Sequence, residues 1–182
     1  MNKAQPGAPP RSIKSRALQL LSQREHSRAE LRRKLLPAAL ATESGIAPDA
    51  AKGDLACRAQ QRVEDLLDWL EANRHLSETR FVEARVHARA SRFGNLRIRR
   101  ELALHETPLA PELESELKDN ELGRARAVWA RKFPAPPTSV AERAKQARFL
   151  MGRGFSAEVI HRLLRDVGQC AVDDDGVGAD TC

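Results

Sequence analysis

A chain of 182 residues holds one domain or a short row of small units, and at 41% hydrophobic it can bury a real core. Only 4% of it is aromatic, with no Tyr and two Trp, which excludes an aromatic-rich core and leaves Leu, Ala, Val and Ile to build one. Charged residues make up 31% with a net charge of +6, a balance that favours acidic partners such as nucleic acid, an acidic protein face or an anionic membrane without choosing among them.

Residues 1–12, with Pro6, Pro9 and Pro10 and no apolar stretch, read as a disordered tail and not as a secretory signal. Ile13, Ala17, Leu20 and Leu21 follow at helical spacing. Ser27-Arg28-Ala29-Glu30 is a capping box that opens a second helix, and Pro37 marks its expected end. Residues 37–54, with Pro37, Gly45, Pro48 and Gly53, read as a long loop. A third helix covers about 55–73, with Val63, Leu66, Leu67 and Leu70 on one side and Glu64, Asp65 and Asp68 on a solvated face. The fourth runs over about 78–91 from Ser77, carrying Phe81, Ala84 and Ala88, and is broken by Gly94. A fifth passes through Ile98 and Leu102 to Pro108, and Leu109, Leu113 and Leu117 form a short sixth. Leu122, Ala125 and Trp129 mark the seventh, which stops before Pro134-Ala135-Pro136-Pro137. Ser139-Val140-Ala141-Glu142 is another capping box, opening an eighth helix with Val140, Ala144, Ala147 and Met151 inward. After Gly152 and Gly154, Ser156 caps the last helix, with Ile160, Leu163, Leu164 and Val167 apolar; residues 169–182 read as an acidic, frayed tail.

One pattern occurs three times: a small residue, an aliphatic at +4 and a leucine at +8, as Ser27–Leu31–Leu35, Gly94–Ile98–Leu102 and Ser156–Ile160–Leu164. Phe93 and Phe155 precede two of the caps and can pack on Ile98 and Ile160 as hydrophobic staples; His26 takes that place in the first copy, where the staple should be weaker. Repetition of this kind predicts an all-α fold of three tandem three-helix repeats in an elongated, curved, solenoid-like arrangement. The expected units are 13–76, with an insertion at 37–54, then 77–118 and 119–168.

Chemistry for catalysis is sparse. Gly152-Arg153-Gly154-Phe155-Ser156 lacks the full phosphate-loop pattern and no strand precedes it, so a helix-to-helix turn is the better reading. The five histidines show no helical pairing with His or Cys that would hold a metal, and the serines sit where capping explains them. No enzyme activity, metal or cofactor is expected. No apolar run approaches the roughly 18 residues of a membrane helix. Three cysteines without CxxC spacing fit reduced thiols in a cytoplasmic protein.

Arginine carries the functional signal. At +6 of the repeated pattern stand Arg33, Arg100 and Arg162, about 200° around the helix from the +4 aliphatic and so outward. Arg32 and Arg99 stand at +5, Arg24 and Arg153 at −3, and Arg28, Lys34 and Arg97 add further charge. In a regular stack these form a stripe suited to phosphates or carboxylates. The aromatic residues fall on apolar faces or turns and are read as core, which gives base stacking little support.

The segment Ala17–Leu35 resembles the opening signature of RecX, the regulatory partner of the bacterial recombinase RecA. His75–Phe81 through Arg97–Leu102 is similar to its second unit, and Arg148–Ser156 with Ile160 to its third, so the resemblance spans about 14–167. Two departures are Ser77-Glu78-Thr79 before Arg80-Phe81, where the family often has acidic residues, and the 37–54 segment. The resemblance implies a non-catalytic modulator acting in recombination and DNA repair. It would bind along the groove of the RecA filament on single-stranded DNA, limiting filament growth, ATPase activity and strand exchange. A monomer with no membrane partner is expected, with weak direct DNA binding as an additional contact. Competing readings are a helix-turn-helix DNA-binding regulator, with Arg24–Leu36 as turn and recognition helix, and a scaffold with no nucleic acid involved.

Overall fold

The computed structural model describes residues 12–174, so the tail expected over 1–12 and the end of the acidic tail lie almost wholly outside the described residues. Among the described residues there are nine helices and no strand: α1 (Ile13–Leu21), α2 (Arg28–Ile46), α3 (Lys52–Ala72), α4 (Glu78–Ala90), α5 (Asn95–Ala103), α6 (Pro111–Asp119), α7 (Glu121–Ala130), α8 (Val140–Gly152) and α9 (Ala157–Asp174). The chain divides into two compact units that meet in sequence between Val82 and Glu83.

The first unit is built on α2 lying against α3, with α1 packed on α2. Its core joins Ala17, Leu31, Leu35, Ala39, Ala59, Val63, Leu67 and Leu70, all fully buried. Ser27 caps α2: its hydroxyl accepts from the Glu30 N–H at 3.1 Å. The expected stop at Pro37 and the loop over 37–54 are both corrected here. α2 runs through Pro37 to Ile46, α3 starts at Lys52, and only 47–51 separates them. Proline in a helix interior costs about 3 kcal/mol. Ala38, Ala39, Leu40 and Ala41 are strong helix formers, and the buried face Leu31, Leu35, Ala39, Glu43 continues across the proline against α3. Glu43 is buried and takes an ion pair from Arg62 at 2.9 Å.

The second unit gathers Ala125, Val128 and Trp129 of α7 with Leu150 of α8, Phe155, and Ile160, Leu163 and Leu164 of α9. Two expected faces are turned from where the pattern put them. On α8, Val140 is 88% and Met151 61% exposed, and the buried positions are Gln146 and Leu150. Gln146 goes inward because its amide oxygen accepts from the Trp129 indole at 2.7 Å. On α4, Ala84 and Ala88 are exposed while Phe81, Val82 and Val86 are buried; the larger side chains take the core. Where a frayed tail was expected from 169, the backbone stays helical to Asp174, and the rest of that segment lies outside the described residues.

The second unit is pinned at a contact between two turns. The Gly94 N–H donates to the Arg153 carbonyl at 3.0 Å and the Leu96 N–H to the Gly154 carbonyl at 3.1 Å. A Cβ on Gly94 would sit 2.3 Å from the Gly154 oxygen and the Phe155 nitrogen, so only glycine allows this approach. Gly154 itself has φ +84, in the left-handed region.

Candidate partner-binding arginines

Leu31, Ile98 and Ile160 are 0%, 1% and 4% exposed, which places the +4 aliphatic of each copy in a core. The outward positions follow from the helix period: Arg33, Arg100 and Arg162 are all exposed. Among the described residues none of the three takes part in an ion pair.

Their neighbours differ. Arg28 is half-buried and fans out over α3, donating to Glu71 at 2.9 Å, Glu64 at 2.7 Å and Asp68 at 2.6 Å. Burial opposes its charge, but the three carboxylate bonds outweigh that and raise its pKa above the ordinary arginine value. Arg32 forks onto the same Glu64, with its Nη2 at 3.2 Å. The bond from Arg32 is the largest effect on Glu64; with the bond from Arg28 it overcomes partial burial and holds the Glu64 pKa at about 2. The solvated face holds for Asp65 and Asp68, which are exposed, while Glu64 is half-buried; Glu64 and Asp68 are also acceptors that tie α2 to α3, and Asp65 accepts from Gln61 at 2.8 Å. Sequence spacing could not reveal this, because the partners lie 36 and 40 residues apart.

Arg24 is also engaged. It grips the Glu30 carboxylate with both terminal nitrogens, one at 3.1 Å, and Lys34 reaches the same group at 3.1 Å. Burial raises the Glu30 pKa, yet these bonds bring it down to about 2. His26, 1% exposed, fills the place of a staple aromatic by hydrogen bonding. Its Nδ1 lies 2.9 Å from the Arg24 carbonyl and its Nε2 3.1 Å from the Lys34 ammonium. An acceptor at one nitrogen and an ammonium donor at the other define a neutral ring with the proton on Nδ1. Burial lowers the His26 pKa below 6.5.

In the second unit Arg99 pairs with Glu114 at 2.6 Å, and Arg97 lies 4.1 Å from the Phe93 ring centre with Glu101 at 3.8 Å. Arg153, half-buried, stands over both Phe93 and Phe149 at 5.6 and 5.2 Å. Of the nine arginines singled out by sequence, the structure brings Arg28 and Arg32 together on Glu64, and Arg97 and Arg153 together on Phe93.

Sequence reasoning missed the buried and half-buried polar groups that set these helices in place. Glu78 opens α4 and accepts the Arg28 N–H at the start of α2, at 2.7 Å. Glu121 opens α7 and accepts the Asn95 N–H at the start of α5, at 3.0 Å, and the Ser156 hydroxyl at 3.2 Å. The same device thus occurs twice: a glutamate at one helix start satisfies a free donor at another. Arg124 reaches the Phe93 carbonyl at 3.0 Å, the Leu117 carbonyl at 2.9 Å and the Asn95 side chain, and burial lowers its pKa. The one available signal was an acid at each of two helix starts; nothing in the spacing named its partner.

Comparison with known proteins decides the family. The chain is 47% identical to the regulatory protein RecX of Ralstonia nicotianae, over 92% of this chain and 94% of that protein. It is 46% identical to the RecX regulatory protein of Herbaspirillum seropedicae, over 92% of this chain and 96% of that one. The chain belongs to the RecX family of regulatory proteins. The family model for the third three-helix domain of RecX also matches residues 119–164, the stretch that carries α7, α8 and most of α9. Membership makes the chain a regulator and not an enzyme. The three-helix description of that domain agrees with the repeats read from the triple pattern. No helix among the described residues is long and apolar enough to cross a membrane.

Proposed function

We propose that this RecX-family chain binds a RecA filament on single-stranded DNA and restrains its growth, ATPase activity and strand exchange, using Arg33, Arg100 and Arg162 as its contacts with acidic groups of the filament. The observation that carries the reading is the contrast among arginines. Arg28, Arg32 and Arg99 are held by carboxylates of the same chain, whereas the three at the matched +6 position are exposed and, among the described residues, free of ion pairs. A guanidinium already saturated by carboxylates offers a partner little; a free one offers its full fork of donors. Several such contacts, each weak alone, add through effective concentration along a repetitive filament.

The helix-turn-helix alternative is less well supported. Arg28 and Arg32 of α2 are turned onto α3, and Lys34 of α2 and Arg24 of the preceding turn are engaged by Glu30, so few side chains remain to read base edges.

The test is the triple variant Arg33→Glu, Arg100→Glu and Arg162→Glu, assayed for suppression of RecA ATPase on single-stranded DNA. Helicity by circular dichroism should be unchanged. Inhibition should need far more protein, since removing a charged hydrogen bond costs about 1–3 kcal/mol at each position. A triple variant that inhibits like the wild type would refute the assignment. Weakened inhibition with Arg33→Glu alone and none with Arg162→Glu would favour the single-unit DNA reader.

A further inference from the structure

Within the second unit, the ends of three helices bring cations to one place. Arg92 follows the last turn of α4, Arg131 and Lys132 close α7, and Arg153 closes α8. Together with Val128 and Phe149 these four line a single cavity of about 240 Å³. Arg131 is set by its own backbone contacts, donating to the Ser91 carbonyl at 2.5 Å and to the Ala127 carbonyl at 3.2 Å. Arg92 and Arg153 stand 5.9 and 5.6 Å from the Phe93 ring centre. Among the described residues, no carboxylate lies within ion-pair distance of any of the four.

Cations at helix C-termini have an ordinary use, the compensation of the helix dipole. Its size decides whether that use is sufficient. Each C-terminus carries about half a negative charge, so three supply roughly −1.5 against four formal positive charges. More than half of the charge is left uncompensated in a concave site. Several arginines elsewhere in this chain are matched by acids: Arg28 has three carboxylates, Arg89 has Glu101 at 2.9 Å, and Arg99 has Glu114. The cavity instead gathers four cations with no acid among its lining residues.

We infer that this cavity is a phosphate-binding site for the backbone of single-stranded nucleic acid. Four cationic side chains converging on one small cavity match a group with several acceptor oxygens. A carboxylate is satisfied by one guanidinium in a bidentate pair. Phosphodiesters repeat along a strand, so neighbouring phosphates reach the outer members Arg92 and Lys132 while one is held inside. Three of these residues, Arg92, Arg131 and Lys132, lie outside the repeated arginine positions. The site does not depend on the filament reading: it acts on a bare strand, with no recombinase present.

The experiment measures binding of the full chain to a short fluorescein-labelled oligothymidylate by anisotropy, over about 50 to 200 mM salt. The test variant is Arg92→Gln with Lys132→Gln, two exposed positions with no ion pair among the described residues. The control is Lys52→Gln with Arg58→Gln, which removes the same charge from exposed sites on α3. The test variant should bind about tenfold more weakly and its salt slope should fall by roughly 1.4, the value for two phosphate contacts on a single strand. The control should keep the wild-type slope. Equal affinity in test variant and wild type would overturn the site, and so would an equal weakening in the control, which would reduce the effect to net charge. Two competitors define the ligand. Pyrophosphate should displace the strand no better than its ionic strength accounts for; tight pyrophosphate binding without strand binding would overturn the nucleic-acid assignment. Polyglutamate bound more tightly than oligothymidylate, and no longer bound by the same variant, would overturn the phosphate assignment. Failure here would leave RecA inhibition by the wild type untouched, and failure of the arginine triple variant would leave strand binding untouched.

Discussion

Gly94→Ala tests whether the turn-to-turn contact holds the second unit together. Gly94 has φ −80 and ψ 170, a conformation alanine adopts freely, so the backbone imposes no penalty. The cost is purely steric. The added methyl would lie 2.3 Å from the Gly154 oxygen and the Phe155 nitrogen and 2.4 Å from the Gly154 carbonyl carbon, all backbone atoms that no rotamer change can move. The two turns must separate by the better part of an ångström, which breaks the bonds from Gly94 to Arg153 and from Leu96 to Gly154. Each bond is worth about 1 kcal/mol, and a donor left buried and unpaired costs about 1–3 kcal/mol. The sum is about 3–5 kcal/mol, a fall in melting temperature of roughly 10 °C for a chain of this size. The assay is thermal unfolding followed by Trp129 fluorescence in a Trp69→Phe background, because Trp129 lies in the core of the second unit. Gly154→Ala should be at least as severe, since it adds strain at φ +84 to a 2.5 Å contact with Arg97 Cβ. Melting of Gly94→Ala within two degrees of the wild type would refute the reasoning.

Alanine at Leu31, Ile98 or Ile160 should cost about 2–5 kcal/mol each in chemical denaturation, as buried aliphatic truncations do. Arg28→Met should destabilise the first unit by about 1–2 kcal/mol, because the pairs with Glu64, Asp68 and Glu71 are partly solvent-screened. The same change should leave RecA inhibition near wild type, checked by ATPase assay. Stability should fall on acidification in two stages, read by denaturation across pH. His26 has a folded pKa below 6.5, so its contribution is present above pH 6.5 and is lost as pH falls through the lower folded value. Glu30 and Glu64, with folded pKa values of about 2 against 4.5, contribute above about pH 4.5 and lose that contribution as pH falls toward 2. His26→Phe, which supplies the aromatic of the other two copies, should remove the first stage and keep the second.

The all-helical class, the burial of the three repeated aliphatics and the outward arginines were all legible in the sequence, because each depends on local periodicity. A residue four positions along a helix shares a face with the first, so Leu31, Ile98 and Ile160 had to be buried together with their +8 leucines once the helices formed. The caps at Ser27, Ser139 and Ser156 are local for the same reason, and each hydroxyl accepts an N–H three residues on. Tertiary structure decided what local chemistry leaves open. Pro37 reads as a stop, and packing of the buried face on α3, with good helix formers after the proline, carries the helix past it. Val140 and Met151 fit an inward stripe as well as Gln146 does, until Trp129 offers a hydrogen bond to the glutamine. The arginines look alike in one dimension. Which are bound by a carboxylate 32 to 43 residues away, and which stay free for a partner, depends on chain segments that meet only when the helices pack.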